Sequence, residues 1–231
     1  MFPVGDTDLR NQSFPVLTVG LAIVNILVFI YQLTLPQEEL IAFITRYGAV
    51  PAEILQGQNI ISLLTSMFVH GGWVHIISNM VYLWIFGDNI EAVLGKLGFA
   101  VFYLLGGVGA SAAHVLINAG TTQPSVGASG AIAAIMGAYI VMFPRSQVRV
   151  ALLTFFGLMI TRVTAFVFLG VWALSQFFVG VASLGAETAQ SGGVAIWAHI
   201  GGFVFGLLVG FLFRSKAQEL DLERRRRRRR A

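Results

Sequence analysis

The sequence predicts an all-α integral membrane protein, a bundle of six transmembrane helices with both termini cytoplasmic. Three observations carry that expectation. The first is composition: of 231 residues, 56% are hydrophobic and 11% charged, whereas soluble domains carry about 25% charged residues. A globule of this size has too little polar surface to cover so apolar an interior. The second is the recurrence of apolar runs near the ~20 residues that a helix needs to cross a bilayer. The third is the distribution of lysine and arginine, which are enriched in cytoplasmic loops. With both ends inside, every one of the 15 lysines and arginines except Arg46 falls on the cytoplasmic side.

The elements follow in order along the chain. Residues 1–13 form a cytoplasmic segment. The first span runs from Phe14 to Leu35 and stops at Pro36. No basic stretch directly precedes it, and it exceeds the ~7–15 apolar residues of a signal-peptide core, so it reads as a retained helix. An external loop, Pro36–Val69, leads to the second span, Trp73–Phe86. The third covers Leu97–Asn118, between Lys96 and the polar stretch Gly120–Pro124. The fourth, Val126–Phe143, ends at Pro144-Arg145. The apolar segment Val148–Thr161 is expected either at the interface or as an extension of the fifth span, Val163–Leu184. A glycine- and serine-rich cap loop, Gly185–Gly193, precedes the sixth span, Val194–Phe213. Residues 14–213 thus make one six-span domain, and residues 214–231 a cytoplasmic polybasic tail.

The net charge of +4 and pI near 9.9 belong to that tail. Without Arg224–Arg230 the chain is net negative, so its basicity argues for a topology anchor touching anionic lipid, not for nucleic-acid binding. The absence of cysteine excludes a disulfide framework, a thiol nucleophile and a thiolate metal site.

Few polar residues lie at membrane depth, and no Asp, Glu, Lys or Arg occupies the centre of a span. Aspartyl chemistry inside the membrane is therefore excluded, and the absence of His-Glu-x-x-His excludes a zinc protease of that type. No metal site is expected. What remains is His75 and Asn79 in the second span, His114 in the third, Ser129 in the fourth and His199 in the sixth. At ~1.5 Å per residue, Ser129 stands ~22 Å above Pro144, His199 ~22 Å above Arg214 and His75 ~20 Å above Asp88. These three share a layer roughly 8–10 Å below the outer edge of a ~30 Å core. Asn79 is one turn deeper on the His75 face, because i and i+4 align. Taken singly, such residues commonly hydrogen-bond between helices; agreement of depth among three spans argues that they meet. Gly202, Gly206 and Gly210 point the same way. Small residues four apart let helix backbones approach closely in lipid, here the sixth span against the small-residue fourth span.

A serine hydroxyl becomes a nucleophile when a neighbouring imidazole takes its proton. The oxyanion that follows needs preorganised donors. Ser129 stands at a helix start, where backbone N–H groups lack intrahelical partners, and His75 and Asn79 can add side-chain donors. No carboxylate lies at the depth of His199, so the residues support a serine–histidine dyad and offer no third member. A dyad of this kind needs no cofactor.

The chain resembles the rhomboid intramembrane serine proteases, in the six-span form common in prokaryotes. The resemblance rests on Gly127-Ala128-Ser129-Gly130, on Ala198-His199-Ile200-Gly201-Gly202, on His75 with Asn79, and on the stretch Met67–Glu91. It covers about residues 14–213. It implies Ser129 as nucleophile, His199 as general base and then acid, and an oxyanion hole from His75, Asn79 and the Ser129 backbone. Gly127 would let its loop approach the substrate. The implied substrate is a single-span membrane protein cut near its outer boundary, with lateral entry beside the fifth span. The implied location is the prokaryotic plasma membrane.

Two departures bear on gating. The position one turn after the serine, where some members stack an aromatic ring on the histidine, is Ala133, leaving Trp197 or nothing for that role. The first external loop has Arg46-Tyr47 where some members have a Trp-Arg pair. His70 is expected to cap or pack the loop, and His114 to hydrogen-bond between helices. Two other classes compete: a catalytically silent rhomboid-like binder of membrane proteins, and a small permease using its histidines. The second lacks an embedded carboxylate and an inverted repeat.

Overall fold

In the computed structural model, residues 2–6, 14–154, 157–184 and 195–228 are described. A short strand β1 (Phe2–Gly5) precedes helix α1 (Val16–Thr34). The external loop folds into α2 (Gln37–Tyr47), α3 (Pro51–Leu55), α4 (Ser62–Thr65) and a 3-10 turn at Ser66–Phe68. Then come α5 (Trp73–Ile117), α6 (Ser129–Met142), strands β2 (Gln147–Thr154) and β3 (Gly157–Thr164), α7 (Ala165–Ser183) and α8 (Ile196–Arg228).

The chain is mostly helical, but it is not all-α. β1, β2 and β3 make an antiparallel sheet in that order. The segment Val148–Thr161 does not extend the fifth span; its described residues belong to β2 and β3. β2 and β3 pair from Gln147↔Thr164 to Thr154↔Gly157. The physical reason is its period of two: Val148 and Val150 are fully buried while Arg149 between them is not, a pattern that a pleated strand satisfies and a helix does not. Among the described residues, four helical stretches are long and apolar enough to cross a membrane: Val16–Thr34, Trp73–Ile117, Ala165–Ser183 and Ile196–Glu223. The break expected between the second and third spans, residues 87–96, is reduced to a kink at one residue. α5 continues through Phe86 and Gly87, and its one non-helical residue is Gly95, at φ 75° and ψ 166°. A residue with a β-carbon would be strained there. α8 likewise runs past Phe213 without a break, and Ala217 is fully buried. The cap loop 185–193 and Arg10 lie outside the described residues.

Two polar anchors fix the helices at one end. Glu91 of α5 is buried and accepts from the backbone N–H of Leu17 (3.0 Å) and Thr18 (2.8 Å) and from the Thr18 hydroxyl (2.8 Å). It thereby satisfies donors at the start of α1 that no intrahelical carbonyl can reach, and it complements the helix dipole. Nearby, Asp6 accepts from Asn89 (2.8 Å) and the Tyr139 hydroxyl (2.6 Å), tying the β1 segment to α5 and α6.

The centre of the fold is the contact of α6 with α8. A β-carbon added to Gly202 would strike the Gly130 carbonyl, one on Gly206 the Ala134 carbonyl, and one on Gly210 would stand 3.0 Å from Ala138 Cα. Steps of four on α8 thus meet steps of four on α6. α5 closes on both, through Gly106 against Ala134 and Phe205 and Gly107 against Ala131 and Met67.

Candidate active site

Ser129 is the first residue of α6 and is half-buried. The first backbone bond of that helix runs from Ile132 N–H to Ala128 O (3.0 Å), so the N–H groups of Ser129, Gly130 and Ala131 have no intrahelical acceptor. The preceding loop is moored to the external loop by backbone pairs. Ser125 and Ala49 exchange two bonds of 2.9 Å, and Gly127 N–H donates to Ser66 O at 2.8 Å. Gly127 stands at φ 121°, where a β-carbon would also lie 2.6 Å from His75 Nε2 and 3.7 Å from Asn79 Nδ2. Glycine is needed at this point for both its backbone angle and its lack of bulk. The same distances place the His75 and Asn79 donors against the residue two before Ser129.

The hydrogen bonds indicate what those donors can do. Gly71 N–H donates to His75 Nδ1 at 3.3 Å, so the ring proton belongs on Nε2, the nitrogen beside Gly127. Asn79 is buried, and its Nδ2 has no hydrogen-bond acceptor among the described residues. A buried amide donor left unpaired is costly in a fold.

His199 faces this cluster from α8. Gly130 and Ala198 touch where α6 and α8 meet, a β-carbon on Gly130 lying 3.7 Å from both Ala198 Cβ and Ala198 O. Ser129 and His199 therefore flank one helix–helix contact. Among the described residues no hydrogen bond joins the Ser129 hydroxyl to the imidazole, and His199 Nε2 is buried without a partner. Nucleophile–base pairs are often looser before substrate binds.

Two features of His199 escaped the sequence reading. It does have a third group, because its Nδ1 lies 2.8 Å from Gln176 Oε1 on α7. A search confined to carboxylates could not find a neutral amide. An aromatic ring also faces the imidazole: Trp172, with centroids 5.7 Å apart at 41°. Trp197 does not take that place; it packs towards Gly180 of α7, Cζ2 being 3.5 Å from a β-carbon built there. Trp172, Gln176, Phe177, His199 and Phe203 line a cavity of about 260 Å³ between α7 and α8.

The other histidines lie at the margins. His70 is buried in the loop before α5, its backbone exchanging two bonds with the Gln32 side chain (2.9 and 3.0 Å) and its ring 5.1 Å from that of His75. Burial first, and then the neighbouring His75 ring, pushes His70 down to about 4. Among the described residues His114 has no bond to another helix; its Nδ1 is 3.3 Å from Asn118 Nδ2, four residues on. The helix can close that i, i+4 pair locally. Among the described residues, no group of three His, Asp or Glu side chains could hold a metal ion.

The fold and its apolar helices define a helical integral membrane protein. Residues 57–216 match the Rhomboid domain, and the chain belongs to the rhomboid family. It is 28% identical over 188 residues to Rhomboid protein 1, mitochondrial, of Saccharomyces cerevisiae, covering 79% of this chain and 49% of that protein. It is 30% identical over 170 residues to RHOMBOID-like protein 6, mitochondrial, of Arabidopsis thaliana, covering 72% and 48%. RHOMBOID-like protein 4 of the same plant is 29% identical over 168 residues, covering 73% and 38%. The chain thus spans half or less of the length of these relatives. They are eukaryotic, and two carry mitochondrial names, so they lend no support to the expected prokaryotic plasma membrane.

Proposed function

We propose that this protein is an intramembrane serine endopeptidase that cuts single-span membrane proteins near one membrane boundary. Ser129 is the nucleophile and His199 the general base and then acid. His75 Nε2–H, Asn79 Nδ2–H and the Ser129 N–H form the oxyanion hole. The observation that carries the reading is a pairing of unused groups. A buried acceptor nitrogen on His199 and a buried unpaired donor on Asn79 flank a serine at a helix start.

The chemistry follows. As Ser129 Oγ bonds to the scissile carbonyl carbon, its proton passes to His199 Nε2. The negative charge that develops on the carbonyl oxygen meets the three donors and the positive end of the α6 dipole. His199 then gives the proton to the departing amine, leaving an ester on Ser129. A water attacks that ester, surrendering its proton to the same nitrogen; the bond from the carbonyl carbon to Ser129 Oγ breaks, and His199 returns the proton to Oγ.

The six-span arrangement belongs to the same proposal. The two arms of α5 on either side of Gly95 cross separately, and α6 is the fourth crossing. With 14 residues α6 is only ~21 Å long, ~9 Å short of a ~30 Å core. Irregular backbone at membrane depth is tolerated where protein buries it, and α6 is buried from Gly130 to Tyr139. A short central helix leaves Ser129 below the boundary, where water can reach it from the external loop side. Residues 14–213 form this domain, both termini lie on the arginine-rich side, and residues 214–231 contact anionic lipid there.

The test uses purified protein in lipid with a tagged single-span substrate, comparing wild type with Ser129→Ala. Cleavage near one substrate boundary that is lost in a folded Ser129→Ala protein is the expected result. Equal cleavage by both would sink the dyad. Substrate capture with no cleavage and no fluorophosphonate labelling of Ser129 would instead support a silent binder.

A further inference from the structure

A neutral imidazole carries one N–H, and which nitrogen holds it decides whether the ring can act as a base at Nε2. Gln176 Oε1, 2.8 Å from His199 Nδ1, is an amide oxygen and can only accept. The proton is therefore on Nδ1, and Nε2 keeps its lone pair. The orientation of the amide is itself fixed by a directed chain along α7. The Ser175 hydroxyl gives its proton to Trp172 O at 2.6 Å, which leaves its oxygen to accept from Gln176 Nε2 at 3.3 Å. A flipped amide would set two donors at Nδ1 and face an oxygen with a hydroxyl whose proton is committed elsewhere. Trp172 and Gln176 are one turn apart, on one face of α7. The first lies against the imidazole ring and the second holds its Nδ1–H.

We propose that Gln176 is the positioning residue of His199: it sets the tautomer in which Nε2 accepts the Ser129 proton, and it steadies the imidazolium that results. When that proton arrives, Nδ1–H remains bonded to Gln176 Oε1 and only the Nε2 proton travels on to the leaving amine. A carboxylate would hold the imidazolium more strongly, but an ionised group at membrane depth is expensive, and the amide orients the ring without that cost. The role of the imidazolium rests on the dyad reading above; the tautomer does not.

The experiment compares wild type, Gln176→Met and Gln176→Glu in lipid, by cleavage kinetics, by rate of fluorophosphonate labelling at Ser129 and by the 15N spectrum of the histidines. The His199 signals are assigned by their loss in His199→Asn. Methionine keeps the length and removes the acceptor oxygen; glutamate keeps the oxygen. For Gln176→Met we expect kcat and labelling to fall on the order of 10–100-fold, by analogy with the loss of the group that orients a metal-bound histidine, with KM and Tm unchanged. Its His199 signals should show both tautomers, and Gln176→Glu should stay within a few fold of wild type. Unchanged kcat and an unchanged tautomer in Gln176→Met would overturn the proposal. So would a loss confined to KM and Tm, which would reduce Gln176 to packing. If wild type neither cleaves nor labels, the dyad reading fails, and the histidine spectrum still decides whether Gln176 sets the tautomer.

Discussion

Two of the helices that α8 packs against, α6 and α7, are built in opposite ways. α6 buries every residue from Gly130 to Tyr139, and its backbone is in contact with α8 at Gly202, Gly206 and Gly210. α7, of 19 residues, buries only Ala165, Phe168, Leu169 and Gly180, and it presents Phe166, Val171, Leu174 and Phe178 outward. Between α6 and α8 there is no room; between α7 and α8 there is a cavity of about 260 Å³. Ser129 and His199, the proposed nucleophile and base, thus stand on a seam that cannot shift without breaking backbone contacts. Gln176 and Trp172, beside His199, stand on a helix that buries few residues and borders a cavity, so less packing holds it. Small residues give the first wall its closeness, and large apolar side chains facing outward give the second its freedom.

Four substitutions would break or sharpen that contrast. The largest effect is expected at Asn79, on the tight side. Removing one oxyanion donor costs roughly 10²–10³ in kcat, so Asn79→Ala should lose that much cleavage. It should lose no thermal stability from hydrogen bonding, since Asn79 Nδ2 is buried and unpaired. A Tm that fell together with the activity would mean that Asn79 holds the fold and not the oxyanion.

Next comes the seam. A β-carbon on Gly206 would strike the Ala134 carbonyl, which is backbone and cannot swing aside. Gly206→Val should force the helices apart and cost about 1–3 kcal/mol, as overpacking does, read as a lower midpoint in detergent or denaturant titration. An unchanged midpoint would show that α6 and α8 have slack after all.

The third concerns acid. His70 stays neutral in the fold down to about 4, against 6.5 in the unfolded chain. Between those values the unfolded state binds the extra proton, so stability falls as pH drops from 6.5 to 4. Neither ring nitrogen of His70 has a partner among the described residues, so His70→Phe should keep the packing and flatten this slope in Tm against pH. An equal slope in both proteins would move the acid sensitivity elsewhere.

Much of this architecture was legible, and the exceptions share a cause. Glycines spaced by four announce themselves, because only close backbone contact in lipid calls for them, and Gly202, Gly206 and Gly210 lie against α6. The start of the fourth span was legible to within three residues: it was expected at Val126, after Pro124, and α6 begins at Ser129. Strand β2 was hidden because Val148-Arg149-Val150-Ala151-Leu152-Leu153 is as apolar as a span, and composition outweighed its alternation. The break between the second and third spans was legible in position but not in length: residues 87–96 were expected to interrupt the helix, and Gly95 alone leaves it, at φ 75°. The continuation of α8 was hidden by charge, although Ser215–Glu223 contains no glycine or proline to end a helix. Gln176 and Trp172 gave no signal, since one neutral polar residue and one aromatic ring in an apolar run have no spacing to read. Their meaning is wholly tertiary, set by where α7 leans on α8.

The smallest effect is expected on the outward face of α7, and it tests the loose half of the contrast directly. Phe178 is 67% exposed, and among the described residues the ring it contacts is Phe177, 5.9 Å away on the same helix. In lipid an outward phenylalanine is solvated by acyl chains, so truncation leaves no cavity in the protein. Phe178→Ala should change stability by less than about 0.5 kcal/mol, as substitutions away from packed features do. If α7 instead docks firmly in the membrane through a surface that this face provides, the same change would lower the midpoint well beyond that. The freedom inferred for the helix carrying Gln176 would then be lost, and the base would be held as rigidly from α7 as the nucleophile is held on α6.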